Sequence, residues 1–128
     1  MSLTIFLSSD APMLVNLSNH PSGFWSEEQL AAARQFGDIV DVPFPNIDPS
    51  SSSATVHSIA DKAADDITAM AEDIVVHVMG EMTFTFMVVT RLKEMGIKCI
   101  ASTTERKTTY NDDGTKLSEF SFVKFREY

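Results

Sequence analysis

The sequence predicts an α/β fold: a Rossmann-like three-layer domain with a mostly parallel sheet of four or more strands and a C-terminal β-hairpin. Three observations predict it. Short apolar runs alternate with helical patterns from Met13 to Ala101, and strand–helix–strand units close through right-handed crossovers onto a parallel sheet. Ile74-Val75-Val76-His77-Val78-Met79 is apolar almost throughout, as in a strand covered on both faces. Near the end, Asp113-Gly114 stands between two strand-like runs and reads as a hairpin turn.

The elements follow in order. Met13–Ser18 reads as the first strand and Asn19–Gly23 as a turn cluster. Ser26-Glu27-Glu28-Gln29 has capping-box spacing and starts a helix whose buried stripe is Leu30, Ala33 and Phe36, stopped at Gly37. Phe24-Trp25 before it reads as a hydrophobic staple. Ile39–Val42 is the second strand. Three prolines in Pro43–Pro49 exclude helix and central strand there. A serine of Ser50–Ser53 caps the next helix, which carries Val56, Ile59, Ala60, Ala63, Ile67 and Met70 on one stripe. Met82–Met95 reads as a third helix, with Phe84–Val89 as core. Ile97–Ala101 is the fourth strand, Ser102–Lys107 a polar loop, and Thr108–Phe125 the hairpin. The domain spans residues 13–128, and residues 1–12 read as an N-terminal extension or extra edge strand around Leu3–Leu7.

The 128 residues carry a formal net charge of −8. The charge is uneven: residues 1–90 hold 2 basic and 12 acidic side chains, residues 91–128 hold 8 and 6. Such a surface repels long nucleic acid, which needs many phosphate contacts. No apolar run approaches a membrane span, so no membrane partner is expected. The lone Cys99 excludes a disulfide framework and a four-cysteine zinc site, fits a cytoplasmic location, and reads as an inert mid-strand thiol. Three histidines argue against a histidine-rich metal site, and neither metal nor cofactor is expected. No glycine-rich dinucleotide or P-loop motif is present.

In open parallel sheets, ligands bind beyond the carboxyl ends of the strands. The segments there supply the candidate binding residues: Ser18, Asn19 and His20; Asn46; Gly80, Glu81 and Thr83; Ser102, Thr103, Thr104 and Arg106. Ser102–Arg106 is the sharpest constellation, because a guanidinium can fork onto a phosphate and the hydroxyls can complete the shell. His77, inside the third strand, reads as a satisfied core histidine.

Asn19-His20-Pro21-Ser22 with Trp25–Leu30, Asp41–Ile47, Gly80–Thr83, Ala101–Arg106 and the closing Phe122–Tyr128 together resemble small CRISPR-associated proteins with a CARF-like, Rossmann-like domain. The resemblance covers residues 13–128. It implies a homodimer that binds cyclic oligoadenylate, or another small nucleotide, in antiviral defence. It implies that the stretches Ser18–Ser22 and Ser102–Arg106 approach the ligand. In its catalytic form such a protein is a metal-independent ring nuclease, in which a ribose 2′-hydroxyl attacks the neighbouring phosphate. Arg106 would then stabilise the phosphorane, Ser102 and Thr103 would assist, and His20 would serve as acid or base. The alternative is a non-catalytic nucleotide-sequestering or protein-interaction module.

Overall fold

The structure, a computed structural model, describes residues 11–128. The edge strand expected around Leu3–Leu7 lies outside the described residues. Five strands, β1 (Met13–Ser18), β2 (Asp38–Asp41), β3 (Ile74–Met79), β4 (Lys98–Tyr110) and β5 (Lys116–Glu127), form one sheet in the order β2-β1-β3-β4-β5. The first four run parallel, with Asn16 beside Asp41 on one side and His77 on the other, and His77 beside Ile100. β5 returns antiparallel to β4. The helices are α1 (Glu27–Arg34), α2 (Ser53–Thr68) and α3 (Met82–Glu94). No helix among the described residues is long and apolar enough to cross a membrane.

Local chemistry starts each helix where the sequence places it. Ser26 accepts the Gln29 amide at 3.2 Å and Ser52 the Thr55 amide at 3.1 Å, each satisfying an orphan donor of a first turn. Strand alternation then divides the apolar residues into two clusters. Val15, Leu17, Val76, Val78 and Cys99 pack with Val56, Ala60, Ala64 and Ile67 of α2 and with Phe84, Val88 and Leu92 of α3. Leu14 and Ile100 pack with Trp25 and Ala33, flanked by Leu30, Phe36 and Phe125. Burying one such aliphatic or aromatic side chain contributes about 1.5–3 kcal/mol. Trp25 and Leu30 both belong to this cluster, whereas Phe24 is exposed.

Two expectations need correction. Phe84–Val89 is not core throughout: Phe86 is 74% exposed while Phe84 is fully buried. Two residues turn a helix by about 200°, so Phe86 stands on the side away from the sheet. The larger correction concerns Ser102–Lys107, which is strand and not loop. β4 runs unbroken to Tyr110 and pairs with β5 along its whole length. Threonine-rich sequence suits an extended strand, and its polarity reflects the exposure of every β4 residue from Thr104 to Tyr110. The hairpin closes through Asn111, whose amide donates to Thr115 O at 2.8 Å, with Gly114 at φ 85°. The ladder skips Val123, because Lys124 pairs with Thr103 and Phe122 with Thr104.

Candidate functional site

Four strands each contribute one polar side chain to a continuous hydrogen-bonded row at the carboxyl edge. Asp41 of β2, Asn16 of β1 and His77 of β3 are lateral neighbours, and Ser102 of β4 lies two residues beyond the partner of His77. Asn16 Nδ2 donates to Asp41 Oδ1 and to the His20 carbonyl, both at 2.9 Å. Its Oδ1 therefore faces the other way, accepting the Ser18 hydroxyl at 2.7 Å and meeting His77 Nδ1 at 2.9 Å. An amide oxygen only accepts, so the His77 proton sits on Nδ1. The lone pair of Nε2 is left pointing at Ser102 Oγ, 3.2 Å away. That oxygen also lies 2.9 Å from Met79 Sδ; nitrogen is the stronger acceptor, so the Ser102 proton goes to His77.

Asn16 and His77 are almost fully buried, while Ser102 is half-buried. Burial, reinforced by the charge of His20, lowers the His77 pKa to about 4, and the ring is neutral near pH 7. Trp25 and Phe125 wall it in with edge-on rings at 5.2 and 5.4 Å. Burial opposes ionisation of Asp41, but hydrogen bonds from Asn16 and Ser22 outweigh it and hold the carboxyl below its usual range. The row thus runs from a fixed carboxylate through an amide and an imidazole to a serine hydroxyl. Chemically it can accept a proton from Ser102, or from a hydroxyl bound there, without placing a net charge in the core at rest.

The structure sorts the residues expected from sequence. Ser18, Asn19 and Asn46 line one cavity of ≈ 550 Å³ with Asn16, Asp41 and Phe44. His20 contributes its carbonyl, which accepts from Asn16 and the Trp25 indole. Ser102 joins the row. Gly80 borders a second, apolar hollow of ≈ 530 Å³ with Phe86, Val89 and Tyr128. A side chain at Gly80 would overlap the Phe44 ring, so the glycine makes room for a neighbouring aromatic. Glu81 caps α3, accepting the Phe84 amide at 2.7 Å and the Thr83 hydroxyl at 2.6 Å. These bonds hold its carboxyl below its usual range, so a carboxylate already occupies the α3 N-terminus where an anion would otherwise bind.

Thr103, Thr104 and Arg106 do not join them. The Thr103 hydroxyl donates to the Lys124 carbonyl, and Arg106 Nη2 donates to Ser118 Oγ at 3.2 Å on the exposed hairpin. Arg106 stands six strand residues beyond Ile100, about 20 Å along β4. Within one chain it does not share a phosphate with His20.

Asn16 and Asp41 are the residues that sequence reading passed over, while His77 is buried and hydrogen-bonded as the sequence leads one to expect and joins the row as well. One signal was present: a polar Asn in Leu14–Leu17 and a His in Ile74–Met79 each interrupt an otherwise apolar strand. Among the described residues, no three His, Cys, Asp or Glu side chains gather as a metal needs. No curated protein and no solved structure matches the chain. A family model does match, over residues 12–126, from just before β1 to the last turn of pairing in β5. The chain therefore belongs to the family described as the uncharacterized protein MJ1673 family.

Proposed function

We propose that this chain binds a small nucleotide of the cyclic oligoadenylate class at the carboxyl edge of β1 and β3. In this reading it is a CRISPR-associated, CARF-like homodimer of the cytoplasm, and the Rossmann-like three-layer description of its fold is part of the same proposal. The observation that carries it is the Asp41–Asn16–His77–Ser102 row beside the cavity lined by Ser18, Asn19 and Asn46. The row lies where the strand order reverses, with β2 on one side of β1 and β3 on the other. Amide and hydroxyl groups suit ribose and base edges, and the apolar hollow beside Gly80 suits an adenine face. The resemblance supplies the ligand class.

Cleavage would follow from the same row. A ribose 2′-hydroxyl attacks the adjacent phosphorus, the 5′-oxygen departs, and a 2′,3′-cyclic phosphate remains. The hydroxyl proton passes to His77 Nε2 through Ser102, and solvent protonates the leaving oxygen. The placement of Arg106 on the exposed hairpin favours the second reading, binding without cleavage, because within one chain the guanidinium expected to stabilise the phosphorane is bonded to Ser118 instead.

Calorimetric titration with cyclic oligoadenylates of several ring sizes, followed by chromatography of the ligand, tests both. Binding at micromolar concentration or tighter is expected, and it weakens in Asn46→Ala. Product that vanishes in Ser102→Ala and His77→Gln while binding survives marks a ring nuclease. Intact ligand marks sequestration. Absence of binding to every ring size overturns the proposal.

A further inference from the structure

β5 is an edge strand of the described sheet, and it is twelve residues long. Most of it is solvent-exposed, including Phe120 at 67%, Val123 at 55% and Leu117 at 48%. A long edge carrying apolar side chains is a template for another strand. Its charged residues, Lys116, Glu119, Lys124, Arg126 and Glu127, are of both signs, so an antiparallel second copy can set opposite charges against each other across the edge.

We propose that the occupant of this edge is β5 of a second copy of the chain, paired antiparallel about a two-fold axis through Ser121, so that two sheets join into one. The interface deepens the pairing proposed above, and it stands apart from the nucleotide. The register follows from symmetry. A two-fold axis perpendicular to the sheet preserves its faces, so opposed residues must share a face. Because the ladder skips Val123, residues 118, 120, 122 and 125 lie on the face of Ser102, and residues 119, 121, 124 and 126 lie on the other. Centring on Ser121 sets Phe120 opposite the partner's Phe122. Val123 then takes up the extra position. Beyond it Glu119 faces the partner's Lys124, Ser118 the partner's Phe125, Leu117 the partner's Arg126, and Lys116 the partner's Glu127.

Every opposition keeps to one face, and both charge pairs are of opposite sign, each made twice by symmetry. Sliding the centre to Phe120 pairs no charges. Sliding it to Phe122 pairs only Glu119 with the partner's Arg126. One register is therefore singled out by charge and by face together. Glu127 is already held 3.8 Å from Lys98 of its own chain, so the partner's Lys116 would complete a three-member cluster.

The test uses the full chain without nucleotide. In this register Ser121 opposes its own copy, within the span a disulfide bridges. Ser121→Cys treated with diamide, which takes up two thiol hydrogens as one disulfide forms, is expected to give a covalent dimer on non-reducing gels. Ser118→Cys, which faces the partner's Phe125, is expected to stay unlinked, and the native Cys99 is buried. Sedimentation at tens of micromolar gives a second readout. Glu119→Lys places like charges opposite each other and weakens the dimer roughly tenfold or more; adding Lys124→Glu restores it. Circular dichroism checks that each variant is folded. A monomeric wild type, equal cross-linking at positions 118 and 121, or a charge swap that fails to restore pairing overturns the proposal. Nucleotide binding by a protein that stays monomeric would overturn this interface and leave the proposed ligand standing.

Discussion

Lowering the pH should unfold this protein through His77 before its carboxylates contribute. Burial depresses the His77 pKa from 6.5 to about 4. In the unfolded chain the ring takes its proton near 6.5, whereas in the folded chain it resists until about pH 4. The unfolded state therefore binds more protons throughout that window, and stability falls as pH falls. The contribution is complete above the unfolded value and is lost on the way down to the folded one. Integrating one site between pH 8 and pH 5 gives a loss of about 2 kcal/mol. Asp41 and Glu81 both titrate below their ordinary values, so they stay ionised across this range. Urea unfolding at closely spaced pH values measures the slope. His77→Gln removes the titrating group, keeps a side-chain donor toward Asn16, and should flatten the curve between pH 6.5 and 5. A wild-type curve already flat there, or a slope unchanged in the variant, refutes the buried neutral histidine and with it the proton-accepting role of the row.

Three further outcomes are expected. Asn16→Ala leaves His77 Nδ1–H without its acceptor at a cost of about 1–3 kcal/mol; the ring can escape part of this by moving its proton to Nε2, and long-range ¹H–¹⁵N correlation spectra should show that tautomer change. Gly80→Ala drives a methyl into the Phe44 ring and should lower Tm, and Phe44→Ala in the same chain should recover part of the loss; equal stability of Gly80→Ala and wild type would show that the ring moves freely. Burial pushes the Cys99 thiol up to about 11, so iodoacetamide should modify it only in denaturant; rapid labelling of the native protein would contradict its packing.

Periodicity made the α/β alternation readable, because Leu14, Val15 and Leu17, or Val56, Ala60 and Ile67, announce their faces by spacing alone. Ser26 was readable as a cap, and a cap somewhere in Ser50–Ser53 was too, because a cap is a local bond. The extent of β4 was not, since what holds Thr103–Thr109 extended is pairing with β5, across the hairpin turn rather than within the segment itself. That non-local cause also explains Arg106: judged as a loop it belonged at the carboxyl edge, and judged as a strand it is carried out along the hairpin. The row itself hid for a different reason. A buried histidine satisfied by its neighbours and a histidine poised to receive a proton have the same sequence signature. They separate only when Asn16 is seen to have both amide hydrogens committed elsewhere.

The skipped residue in β5 works as a phase shifter. Without the skip at Val123 the strict two-residue alternation would tie the outer hairpin to the sheet body: turning Phe120 and Phe122 toward one side would send Phe125 to the opposite side, away from His77. With it, the two segments choose their sides independently. Lengthening or shortening the outer hairpin two residues per strand at a time would therefore remodel what the protein touches there while the wall of the histidine stays in place.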